Sequence, residues 1–329
     1  MKLDHITHIV LLGAFGKFEA FAKSARKLGF HVDVITAPDH RDIFKTSIPP
    51  LVVNSINDPQ VTELLDRTST ADQRLAISFG ARWIIKQETR QALFGGQMLN
   101  AHGSRLPLDK GGAGFCWRIM RGDRLGNLVL HLVDDGLDTG PLIANEEYVL
   151  PPHCRKPEDF IADYGARLPA FMERFFKRVK SGHEFIETHQ PEYFGGYFPR
   201  IHSMTHGWID WSMSGPDLER FILAFDRPYP GAMTMLGDQV VHLKSCQITA
   251  GDSIWHPFQA GQIMRAGKFL AVCLASGHTL IVEDIAIKRN AKDVNIMDRV
   301  VVGDRFFTPS AKLDAALKTR VTYGAEGRR

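Results

Sequence analysis

The chain has 329 residues, 44% of them hydrophobic, enough to supply the cores of two domains. With 40 Lys and Arg against 37 Asp and Glu, the formal net charge is only +3, which suits an anionic small molecule but is too weak to argue for nucleic acid. No apolar run approaches the roughly 20 residues of a membrane span, and the scattered Cys116, Cys154, Cys246 and Cys273 form no C-x-x-C pair, so a reduced setting without structural zinc is expected. The opening Met1-Lys2-Leu3-Asp4-His5 is polar where a signal peptide would be apolar, and a cytoplasmic protein is expected.

In chain order, Ile6 to Leu12 is a β-rich run ending at Gly13, and Phe18, Phe21, Ala22, Ala25 and Leu28 form a helical stripe stopping at Gly29. His31 to Thr36 reads as a second strand, Val61 to Leu65 as a helix, Arg74 to Phe79 as a third strand and Lys86 to Phe94 as a helix. Met98 to His102 and Asn127 to Val133 complete the strands, and Phe160 to Lys180 is a long amphipathic helix. Strands separated by helix-length segments predict an α/β fold, a Rossmann-like, mainly parallel sheet with helices on both faces. Gly13-Ala14-Phe15-Gly16 lacks the G-x-G-x-x-G spacing of a dinucleotide site and is read as a strand-to-helix turn.

Around Tyr193 to Arg200 the composition changes to glycine and aromatics, which places a linker there. Beyond it, Asp217 to Phe225 reads as a helix, and Val240–Leu243, Gly261–Met264, Phe269–Leu274 and Thr279–Val282 read as short strands of a small barrel or sandwich. The expected division is 1–200, 201–310 and a basic, frayed tail at 311–329.

Asn100 and His102 end the Met98–His102 strand before the Gly103 turn. Residues two apart on a strand share a face, so a carboxamide and an imidazole project side by side while Leu99 and Ala101 face the core. A neutral donor beside a titratable imidazole suits a carbonyl that becomes an oxyanion. Asp138, in the loop after the Asn127–Val133 strand, also falls where open parallel sheets bind ligands. A lone N-x-H is more often structural, and an Asp before Thr139-Gly140 is as easily an Asx-turn residue.

The company these residues keep points further. Asn100-Ala101-His102-Gly103-Ser104-Arg105-Leu106-Pro107, then Lys110-Gly111-Gly112-Ala113 and Trp117, then Leu137-Asp138-Thr139-Gly140 resembles the signature of the folate-dependent formyltransferases. Trp208-Ile209-Asp210-Trp211 and Arg227 to Ala232 look like segments of the open β-barrel carried by the longer members, the methionyl-tRNA and sugar N-formyltransferases. The resemblance implies a formyl group moving from N10-formyltetrahydrofolate to a primary amine, without acyl-enzyme or metal. Asn100 and His102 would stabilise the tetrahedral oxyanion. Asp138 would orient protonated His102 or take the proton that the amine sheds.

By the same resemblance, Trp83, Ile84 and Ile85 together with Asp134, Asp135, Gly136 and Leu137 would clasp the pterin, largely through backbone groups. Trp83 could equally stack on a ring or fill core. Ser104, Lys110 and Arg200 are assigned to the acceptor, Arg200 as a bidentate grip on a pyrophosphate or as a cation–π residue. Family members often have Arg where Lys110 stands and Pro where Gly114 stands, and sugar-modifying relatives can have Arg in place of Gly112.

The acceptor expected is a nucleotide-linked amino sugar, because the segment Ala37 to Lys45 lacks the basic insertion that a tRNA enzyme carries early in its first domain. The expected partners are therefore folate and a small-molecule acceptor, with no nucleic acid or membrane and with a homodimer left open. The alternatives are a methionyl-tRNA formyltransferase, a formyltetrahydrofolate hydrolase and a binding module that retains only the fold.

Overall fold

The structure is a computed structural model that describes all residues except 15, 40–47, 113, 192, 250–254, 291, 325–326 and 329. The Phe15 position of the first turn, His40 to Lys45 of the short early loop and Ala113 of the motif lie outside the described residues.

The first half alternates strand and helix: β1 (His8–Gly13), α1 (Phe18–Lys27), β2 (His31–Thr36), β3 (Leu51–Val52), α2 (Pro59–Asp66), β4 (Arg74–Phe79), α3 (Gln87–Phe94) and β5 (Met98–His102). There follow β6 (Asp109–Gly111), α4 (Gly114–Arg121), the hairpin β7 (Leu125–Leu132) and β8 (Leu142–Val149), and the long α5 (Pro157–Lys180). The main sheet runs β3-β2-β1-β4-β5-β7-β8. Its first pairings are parallel, whereas β7 pairs antiparallel to both β5 and β8. The parallel core is as expected; β8 and the reversed direction of β7, which pairs antiparallel with β5, are additions.

Burial on both faces explains why these strands read as continuous apolar runs. Along β1, Ile9 and Leu11 pack with α1 and α5 through Phe18, Phe21, Phe175 and Phe176. Val10 and Leu12 pack on the other face with Val61, Leu65, Leu93 and Phe94 of α2 and α3. Each fully buried Leu or Phe contributes roughly 1.5–3 kcal/mol, so two-sided packing, more than propensity, holds the sheet. Gly13 closes β1 at φ +111°, where a Cβ would lie 2.6 Å from the Phe79 carbonyl oxygen; only glycine lets the chain turn so close to β4.

The second half consists of β9 (Gly196–Phe198), α6 (Ser203–His206), α7 (Gly215–Ala224), β10 (Ala232–Leu236), β11 (Gln239–Thr249), β12 (Ile263–Arg265), β13 (Leu270–Cys273), β14 (Thr279–Arg289), β15 (Lys292–Asn295), β16 (Phe306–Phe307) and α8 (Ser310–Lys318). Its antiparallel sheet runs β12-β13-β14-β11-β10-β16, with β15 beside β14, and curls into a half-barrel. Its core takes in Cys116 and Ile119 of α4, and the Arg220 guanidinium of α7 donates to the Met120 carbonyl at 3.1 Å. The stretch expected to fray from 311 onward begins within α8, and Tyr323–Gly324 pairs with Gly327–Arg328 beyond it. Among the described residues, no helix is long and apolar enough to cross a membrane.

Candidate active site

Strand β5 builds one wall of the site. Leu99 packs into the α1/α5 core with Ala101 against it, which turns Asn100 and His102 to the opposite face at the strand's carboxyl end. Antiparallel pairing then sets Asn100 across from His131 of β7. The loop after β7 brings Asp138 over both.

The Asp138 carboxylate is the hub. Its Oδ1 accepts from Asn100 Nδ2 at 3.4 Å and lies 3.4 Å from His131 Nε2. Its Oδ2 accepts the Gly111 N–H at 2.9 Å and stands 3.8 Å from His102 Nδ1. With side-chain exposures of 11% for Asp138, 13% for His102 and 3% for His131, water screens little of this. Burial alone would raise the Asp138 carboxyl, but the His131 contact, the fields of His102 and His131 and the Gly111 N–H outweigh it and bring the pKa down to about 2. Asp138 is thus a fixed negative charge at neutral pH, and a poor place to keep a proton.

Backbone carbonyls fix the rings. His102 Nε2 lies 3.1 Å from the Asp109 carbonyl oxygen and His131 Nδ1 lies 2.8 Å from that of Leu132. A carbonyl only accepts, so those nitrogens carry hydrogens. The remaining nitrogen of His102, Nδ1, is the one facing Asp138. One further group holds the loop: Gln190 Nε2 donates to the Asp138 and Gly140 carbonyls at 2.9 and 2.7 Å. Gly111, at φ +101°, fits because a Cβ would run into the Phe198 carbonyl.

The Asx-turn role belongs to Asp134 instead of Asp138. Its carboxylate accepts from the Gly136 N–H at 3.1 Å and the Thr139 hydroxyl at 2.7 Å. That turn leaves Asp138 at φ 56°, a left-handed conformation aspartate tolerates better than most residues.

Of the expected folate segment, Trp83 fills core: it is 7% exposed and its indole donates to the Asn54 carbonyl at 3.0 Å. Ile85 is buried too, while Ile84 and Leu137 are 71% and 55% exposed. Buried Arg90 joins the two segments, donating to the Ile85 carbonyl and to Asp135, each at 2.8 Å. Gly136 lies exposed in the same loop.

Of the residues expected to meet the acceptor, Ser104 is 3% exposed and packed against Gly114 at the start of α4. Lys110 of β6 pairs with Tyr197 of β9, and Arg200 packs along Gly112. Trp117 is tied to the residue just after β9 by a 2.8 Å bond from its indole to the Pro199 carbonyl.

His131, Arg90 and Gln190 are the site residues that sequence reasoning missed. A histidine in the strand just ahead of the Asp134–Thr139 loop was the available signal for His131. Reading it required the antiparallel pairing that sets it opposite Asn100.

Two family models match, "Formyl transferase" over 53–156, spanning β5 to Asp138, and "Formyl transferase, C-terminal domain" over 203–297. A methionyl-tRNA formyltransferase of Myxococcus xanthus (strain DK1622) is 28% identical over 224 residues, 67% of this chain and 68% of that protein. The N-formyltransferase of Helicobacter canadensis, solved with folinic acid and dTDP-3-aminofucose, matches with a TM-score of 0.63 at 16% identity, covering 84% of this chain and 99% of that one. HypX of Aquifex aeolicus, solved with tetrahydrofolic acid, gives a TM-score of 0.56 at 15% identity over 89% of this chain and 46% of that one. At these identities the solved structures establish a shared fold.

Proposed function

Because the chain belongs to the formyltransferase family, we propose that it transfers the formyl group of N10-formyltetrahydrofolate to the primary amine of a nucleotide-linked amino sugar. The convergence of Asn100, His102 and Asp138 at the carboxyl end of β5 is the observation that carries this reading. The amine attacks the formyl carbon, and the carbonyl oxygen takes up the negative charge. Asn100 Nδ2 and protonated His102 Nδ1 donate to that oxygen; such donors are worth about 10²–10³ in rate each. Asp138, ionised, holds the charge on His102. As the C–N10 bond breaks, the proton shed by the attacking nitrogen is the one the departing folate nitrogen takes up, so no group need store it.

The exposed Ile84 and Leu137, on segments tied together by Arg90, offer apolar surface to a flat pterin ring, with backbone groups for its polar edge. Lys110, the half-exposed Tyr197 and the exposed Arg200 line up along β6 and β9, a cationic and aromatic rim suited to a nucleotide diphosphate. On this reading 1–200 carries the catalysis and 201–310 supports it.

The sequence relatives favour a second acceptor, methionyl-tRNA. Incubation with formyl donor and each acceptor in turn decides between them. A formylated dTDP-amino sugar, detected by mass, supports the proposal. Formyl-methionyl-tRNA with a salt-sensitive gel shift supports the alternative, and formate without either product supports a hydrolase.

A further inference from the structure

A second cluster of ionisable side chains lies at the opposite, amino end of the parallel sheet. His8 and His31 open β1 and β2 and are register partners in the parallel pair, and Asp33 follows His31 by two residues, on the same face. His8 Nε2 lies 3.1 Å from Asp33 Oδ2, and His31 Nε2 lies 3.5 Å from Asp33 Oδ1. One ligand atom from each of the three residues falls within 4.8 Å of the others.

His8 is fully buried, and its 3.1 Å contact with Asp33 Oδ2 is poorly aligned for a hydrogen bond. A cation shared by the imidazole and the carboxylate would engage both atoms.

The surroundings favour ligation. His8 Nδ1 is 2.8 Å from Ser69 Oγ, a contact that orients the imidazole. The nearby cation, Arg74, is committed to Asp66 at 2.7 Å, the Leu93 carbonyl at 3.1 Å and Ser69 Oγ at 3.0 Å. His31, at 45% side-chain exposure, leaves a water-accessible fourth position.

We propose that His8, His31 and Asp33 bind one zinc ion that clamps the amino ends of β1 and β2, at the far end of the sheet from Asn100 and His102. Two nitrogens and one oxygen suit zinc, whereas magnesium prefers all-oxygen, octahedral sites.

The test uses the full chain, stripped with a chelator and titrated with zinc alone against a chromophoric competitor. Expected are one saturable equivalent of zinc, a rise in melting temperature with zinc but not with magnesium, and affinity at least about tenfold weaker in His31→Ala and in Asp33→Asn. His5→Ala, which alters an exposed histidine outside the cluster, should bind as wild type does. Because His31 is half exposed, His31→Ala should fold, as checked by circular dichroism, and retain its formyl-transfer rate. Folded wild type without saturable zinc binding, or wild-type zinc affinity in both variants, overturns the proposal.

Discussion

The two ends of the parallel sheet each gather two histidines and an aspartate, and the difference between them lies in what their atoms already hold. At the carboxyl end, Asp138 has the Gly111 N–H, the Asn100 amide and two imidazoles around it. At the amino end, Asp33 meets two imidazoles, His8 at 3.1 Å and His31 at 3.5 Å, the first poorly aligned for a hydrogen bond. A carboxylate satisfied by the protein's own donors is a fixed charge that orients its neighbours for chemistry on a passing molecule. A carboxylate set between two ring nitrogens in poor hydrogen-bond alignment is arranged for a resident ion. The same three residue types thus serve different ends according to their backbone donors, which is why composition of a cluster says less than its bonding.

Substitutions can break this contrast, and the largest effect is expected at the carboxyl end. His102→Ala should lower turnover by about 10²–10³ while leaving donor affinity within a few-fold, as read from kcat and a folate titration. Asp138→Asn should flatten the pH dependence of the rate, since the charge facing His102 Nδ1 is gone. The same variant has a stability signature. The folded pKa of about 2 lies below the ordinary 3.8, so the ionised carboxylate contributes about 2 kcal/mol above pH 4, lost as pH falls through 2. Urea unfolding at pH 5 and pH 2 should show wild type losing that advantage over Asp138→Asn. At the amino end, the zinc affinity of His31→Ala should fall about tenfold with transfer unaffected; a matching loss of transfer would erase the distinction. Smallest is Arg90→Met, which should raise KM for the folate roughly three- to tenfold with little change in kcat, because it loosens two loops without touching the reacting atoms.

Much of the parallel sheet was legible because each strand is buried on both faces and bounded by glycine or a helical stripe. His31–Thr36, Arg74–Phe79 and Met98–His102 appear with the boundaries read from the sequence. Asn100 and His102 were legible for a local reason, the two-residue period of one strand. Asp138 was legible through the resemblance, but what surrounds it was not. His131 joins through an antiparallel pairing, Gly111 through a backbone N–H, and Gln190 through contacts with a loop about 50 residues earlier in the chain. Trp83 shows the opposite limit: its type fitted either a stacking or a core role, and only the Asn54 contact assigns it to the core. Likewise, β8, β10 and β16 gain their strand character from partners distant in sequence.

The central claim is that Asn100 and His102 act on the formyl oxygen during transfer. Its most direct test is the single-turnover rate of Asn100→Ala, with donor prebound and the accepted amine in excess. The account predicts a rate about 10²–10³ below wild type with donor binding within a few-fold, whereas a near-wild-type rate with normal donor binding would contradict it.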